Sequence, residues 1–177
     1  MRILSTIFAL AAAWFGSLEP AWAIAGCDAF SSALRTEASD MQVEFGRAVV
    51  VSRTRSDSNV FDITTRVDVD ATLSCRGDQF VRFEARIGQP ANARTTTNFE
   101  RFQAAALKAA LGWDAGKSRS VLRGMNADAG EYLAASRERG DVYVAGKTEE
   151  HVPGGVSLGL MATGSDRTFV IVGPAGQ

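Results

Sequence analysis

The chain contains one histidine, His151, in the run Glu149-Glu150-His151 beside the turn-forming Pro153-Gly154-Gly155. A Ser-His-Asp triad or a histidine-based zinc site must use this imidazole or do without one. Two carboxylates and an imidazole have the donor chemistry for a divalent cation. Consecutive strand residues alternate sides, however, and zinc ligands usually come from separated positions. The segment therefore reads as a solvated hairpin end. No metal ligand or catalytic residue is assigned, and His151 is kept as a candidate ligand or partner contact.

Charged residues of both signs recur at alternate positions in two other stretches. Asp62, Arg66, Asp68 and Asp70 interleave with Phe61, Ile63, Val67 and Val69, and Arg82, Glu84 and Arg86 interleave with Val81, Phe83, Ala85 and Ile87. The alternation describes a solubilising sheet surface laced with weak ion pairs, or a mixed-charge platform for a protein or small charged ligand. Asp70 and Arg86 are the candidates on that platform. Arg47 is the fourth candidate contact, since the parity of Val43, Phe45, Val49 and Val51 points it inward. A bulge at Gly46 would turn it to solvent, and that is the favoured reading.

Three other motifs carry no chemistry. The glycine-rich Gly154-Gly155-Val156-Ser157-Leu158-Gly159 leads into a strand, whereas phosphate cradles lead into a helix N-terminus. Arg76-Gly77-Asp78 spells an adhesion tripeptide that a turn already explains. Neither cysteine lies in a C-x-x-C pair, which argues against thiol-disulfide exchange.

The elements that must position these residues follow from periodicity. Phe61 to Cys75 alternates throughout and reads as one long half-buried strand. With Gln42 to Arg53 before it and Phe80 to Ile87 after it, this makes a three-stranded meander. Residues opposite one another in an antiparallel pair share a face. A two-residue Gly77-Asp78 loop would set Leu73 against Arg82. A three-residue loop, Gly77 to Gln79, sets Leu73 opposite Phe83, Ala71 opposite Ala85, Val69 opposite Ile87 and Asp70 opposite Arg86.

Asp28 to Ala38 has the spacing of an amphipathic helix. Phe99, Phe102, Ala106, Ala109, Ala110 and Trp113 mark another, with Thr97 and Glu100 as a capping box and Gly112 as its stop. Lys117 to Arg123 and Asp128 to Arg139 read as two more, divided at Gly124-Met125-Asn126 and closed at Gly140. A second meander follows: Val142 to Thr148, Val156 to Thr163 and Thr168 to Val172. In its last two strands both parities are apolar, with Leu158, Leu160, Val170 and Val172 on one side and Met161, Phe169 and Ile171 on the other. Such strands belong at the centre of a sheet or at the apolar face of a homodimer.

Arg2, the apolar run Ile3 to Phe15, Pro20 and the small-residue sites around Ala21 to Ala25 have the three regions of a secretory signal peptide. Residues 1–25 are read as that peptide and 26–177 as a single α+β domain of about 150 residues. The expected order is α-βββ-ααα-βββ, an antiparallel sheet of two three-stranded meanders with helices on one face. The formal charge of -1 gives no field that favours nucleic acid. No segment of the remaining chain is long and apolar enough to span a membrane.

Cys27 and Cys75 are the chain's two cysteines. In an exported chain they are expected to pair, which in the chain-entropy model stabilises the fold by about 4 kcal/mol. The rival reading is a lipobox, Ile24-Ala25-Gly26-Cys27, with Cys27 lipidated. The absence of a nucleophile, base and metal set points to an exported periplasmic, non-catalytic protein that binds a partner protein or a small ligand without a cofactor. Two alternatives stand beside it. One is a small periplasmic hydrolase-like enzyme whose carboxylates and arginines meet only in three dimensions; the other is an envelope lipoprotein anchored through Cys27.

Overall fold

The computed structural model describes residues 26–43, 45–49, 58–65, 69–141 and 145–174. The segment read as a signal peptide lies outside them. The elements are α1 (Cys27–Asp40), β1 (Phe45–Val49), β2 (Ser58–Thr65), β3 (Val69–Arg76), β4 (Gln79–Gly88), α2 (Ala93–Leu111), α3 (Ala115–Arg139), β5 (Ala145–Val152), β6 (Val156–Thr163) and β7 (Asp166–Val172). All strands join one antiparallel seven-stranded sheet in the order β1-β2-β3-β4-β7-β6-β5. The α+β class and the antiparallel sheet agree with the sequence. The element order does not: it is α-ββββ-αα-βββ, with the second meander added to β4 through its last strand.

The extra strand comes from Phe61 to Cys75, which is a hairpin rather than one strand. β2 pairs with β3 so that Ile63 faces Ala71 and Phe61 faces Leu73. This register is symmetric about position 67, so odd residues meet odd residues and the alternation runs through the reversal without a break. Arg66 and Asp68 fall outside the described residues. In β1 the predicted irregularity is present: the register shifts between Phe45 and Ala48, and Ala48 is the residue opposite the buried Ile63.

The β3–β4 register is the expected one, with Leu73 opposite Phe83, Ala71 opposite Ala85, Val69 opposite Ile87 and Asp70 opposite Arg86. Its cause differs from the expectation. The turn is the two-residue Gly77-Asp78, with Arg76 opposite Gln79 and Cys75 opposite Phe80, and an extra β4 residue then shifts the register between Cys75 and Ser74. The bulge restores the parity that the short turn inverts, and it lets Phe80 share the buried face with Phe83.

Three helices cover that face. Phe30 of α1 packs against Phe80 and Phe83 with ring centroids 4.7 and 5.6 Å apart, and Phe83 meets Phe102 of α2 edge-on at 5.5 Å. Such tilted pairs add to the apolar area that the rings bury. α1 is tied down at its first residue. Cys27 is disulfide-bonded to Cys75 with the Cα atoms 6.0 Å apart, and its N–H donates to the Asp78 carbonyl at 2.7 Å. The Asp78 carboxylate accepts from the Asp28 N–H at 3.4 Å. Asp78 of the adhesion-like tripeptide thus sits at a helix N-terminus, where a negative charge is favourable.

α2 begins at Ala93, earlier than the Thr97 capping box implies, because the Asn92 side chain accepts from the Thr95 N–H at 2.9 Å. Gly112 ends it with φ 66°. The two helices expected after it are one, α3, of 25 residues, closed at Gly140 with φ 69°. Leu122, Met125 and Ala129 form one buried stripe across the supposed break. Gly124 costs about 1 kcal/mol in a helix interior, less than burying a side chain of Met125's size gains.

Candidate functional site

The face of the sheet away from the helices is lined by cross-strand rows that the register defines. One row runs His151, Ser157, Val172, Arg82; the next runs Glu149, Gly159, Val170, Glu84; the third runs Lys147, Met161, Thr168, Arg86, Asp70. These positions are open because the connection between β6 and β7 is the two-residue Gly164-Ser165, which inverts parity. Leu158 and Leu160 therefore face Ile171 and Phe169 on the helix side. Met161, Val170 and Val172 share the opposite face, and the parity grouping inferred from the sequence is corrected accordingly.

At the centre of these rows lies a hollow of about 350 Å³. Its floor is Gly159, Val170 and Val172, with Met161 39% exposed at one side. Gly159 supplies the depression. A Cβ there would meet nothing closer than the Val170 Cβ at 3.9 Å, so an absent side chain leaves room above the strand.

The rim is charged and internally paired. Arg82 Nε donates to Glu84 Oε2 at 3.1 Å, Arg86 Nη2 lies 3.3 Å from Asp166 Oδ2, and Lys147 Nζ lies 3.4 Å from Glu149 Oε2. Two of these pairs join residues two apart on one strand, which share a face. The third is a diagonal pair between adjacent strands. The cations are largely exposed, so each pair contributes little to stability and can exchange partners. The arrangement suits a molecule with an apolar body and polar groups at its edges.

Of the four candidate contacts, Asp70, Arg86 and His151 lie on this open face and Arg47 lies elsewhere. β1 and β5 are opposite edges of the sheet, so six strand spacings, about 29 Å, separate Arg47 from His151. Asp70 and Arg86 are cross-strand partners, yet the ion pair Arg86 makes is with Asp166. His151 is distant from both, about 13 Å along the strands and about 14 Å across them from Arg86. Its Nδ1 lies 3.0 Å from Ser157 Oγ. No three histidine, cysteine, aspartate or glutamate side chains converge among the described residues.

The residues missed from the sequence are Lys147 of β5 and, on β6 and β7, Ser157, Gly159, Met161, Asp166, Val170 and Val172. The double-sided apolar pattern of β6 and β7 was the signal for the latter, and the parity of the turn was the missing information. At the other end of the chain's chemistry, a sulfur bonded to Cys75 cannot also carry a thioether-linked lipid, so bridge and anchor are mutually exclusive states of Cys27. The bridge fits an oxidising compartment. Among the described residues no helix is long and apolar enough to cross a membrane. Comparison of the chain with protein-family profiles, with curated proteins and with solved structures finds no match.

Proposed function

We propose that this is an exported periplasmic, non-catalytic binding protein whose ligand or protein partner lies on the open face of β4, β7, β6 and β5. The observation that carries this reading is the hollow over Gly159, apolar in its floor and ringed by Arg82, Arg86, Lys147, Glu84, Glu149 and Asp166. Its volume falls within the range of small-molecule sites, and a few polar groups around an apolar base give orientation as well as affinity. An apolar group seated on Met161, Val170 and Val172 releases ordered water, while the rim charges select polar groups at the edge.

Gly159→Leu tests this reading, because the new side chain fills the hollow without a backbone clash. Native mass spectrometry of the exported chain captured from its periplasm should show bound molecules or a partner on the wild type and their loss in the variant, with the thermal midpoint preserved. Equal occupancy in both would rule the face out.

A second reading is the hydrolase-like one, favoured by Ser157 Oγ lying within proton-transfer distance of His151 Nδ1. The imidazole's other nitrogen has no carboxylate partner among the described residues, so this is a dyad rather than a triad. Activity toward ester probes that disappears in both Ser157→Ala and His151→Gln would establish it.

A further inference from the structure

The two edges of the sheet differ in their ability to pair again. β1 has five residues and an interrupted register, whereas β5 has eight residues paired without a shift to β6, and its other side carries no strand among the described residues. A long, regular free edge offers unpaired N–H and C=O groups to another strand, and proteins commonly blunt such edges with lysine and other charges. The charges of β5 do something more selective.

Lys147, Glu149 and His151 occupy the open face of β5, and Gly146, Thr148, Glu150 and Val152 the helix side. When an edge strand pairs antiparallel with a copy of itself about a two-fold axis, opposed residues must share a face, so the axis has to pass through a residue. Centring on Lys147 sets lysine against lysine, and centring on Glu149 or Glu150 sets glutamate against glutamate. Centring on Thr148 sets Lys147 of each copy against Glu149 of the other, twice, with no like-charged pair. Directly opposed opposite charges stabilise a strand pair and like charges oppose it.

We infer that the β5 edge is a self-recognition surface, pairing with a second copy of this chain about Thr148 so that Lys147 and Glu149 form two reciprocal ion pairs. Both side chains are exposed and free to exchange their within-strand contact for one across the axis. The same register places Glu150 of one copy opposite Gly146 of the other. Gly146 lies beneath the α3 turn that carries Tyr132, at 58% the most exposed large apolar side chain among the described residues. The two open faces then point the same way, and the hollows adjoin across a shared wall of Lys147 and Glu149. The pairing does not depend on what the hollow binds.

A charge-swap series in sedimentation velocity tests it on the exported, disulfide-bonded chain. The wild type should dimerise. Lys147→Glu and Glu149→Lys should each weaken the dimer by about tenfold or more, since each replaces two attractive pairs with two repulsive ones. The double variant K147E/E149K should restore dimerisation, which a general loss of folding cannot imitate. Thr148→Cys gives an independent check: on the axis it meets itself and should form a cross-linked dimer under mild oxidation, while His151→Cys should not. A monomeric wild-type chain, a double variant that fails to recover, or Thr148→Cys chains that do not cross-link would each overturn the assignment.

Discussion

Gly146 and Gly159 lie on adjacent strands, one on each face of the sheet, and a single methyl group distinguishes the faces. On Gly146 it would collide with the backbone of α3 at Ala129 and Leu133; on Gly159 it would stand in open space 3.9 Å from Val170. One glycine allows a helix to approach until backbones touch, so the covered face is closed to anything else. The other leaves a depression on a face that no described helix or strand covers. A packed interior and an open hollow thus use the same residue type for opposite purposes.

Changes on the covered face should have the larger effects on stability. Replacing both Cys27 and Cys75 by alanine should lower unfolding free energy by about 4 kcal/mol, read by chemical denaturation, because the bridge closes a loop of 48 residues. Gly146→Ala should cost on the order of 3 kcal/mol, since α3 must move and its whole buried stripe moves with it. Gly159→Ala should shift stability by much less and so sharpen the contrast. Equal losses in the two glycine variants would break it.

The covered face also buries polar groups, and Gln103 offers the clearest mismatch. Gln103 of α2 is fully buried, and neither its amide oxygen nor its amide nitrogen has a hydrogen-bond partner among the described residues. Gln103→Met, similar in volume and apolar, should therefore stabilise the chain by about 1 to 2 kcal/mol, seen as a raised denaturation midpoint.

The smallest effect concerns the start of α3. The Lys117 and Gly116 N–H groups donate to the Asp114 carboxylate and hold its pKa below the ordinary 3.8. An acid whose pKa is lower folded than unfolded stabilises the fold above the unfolded value and loses that contribution as pH falls through the folded one. Thermal midpoints of Asp114→Ala should fall less than those of the wild type as pH drops below 3.8, the value for the unprotected group. The Arg139 guanidinium and the Ser136 hydroxyl lower the pKa of Asp141 in the same direction.

What could be read in the sequence, and what could not, comes down to the turns. Alternation reports faces within a strand, and so the pairing of Asp70 with Arg86 and of Leu73 with Phe83 was legible before any coordinates. It is silent about a reversal symmetric about a residue, which is why β2 and β3 looked like one strand. It misleads across the Gly164-Ser165 turn, where the faces exchange, and that exchange hid Met161, Val170 and Val172 from the candidate list. The join between β4 and β7 is a contact between distant segments with no local signature, and it builds the site. Helix ends marked by glycine, at Gly112 and Gly140, were legible because a left-handed cap requires that residue.

Recognition on the open face can be tested in place. A photo-reactive amino acid placed at Met161 on the rim of the hollow and, in a separate chain, at Arg123 on the outer surface of α3 tests it in the native host cell. Covalent adducts, identified by mass, should form from position 161 and none from position 123. Adducts from position 123 alone would contradict it and move the binding surface to the helices.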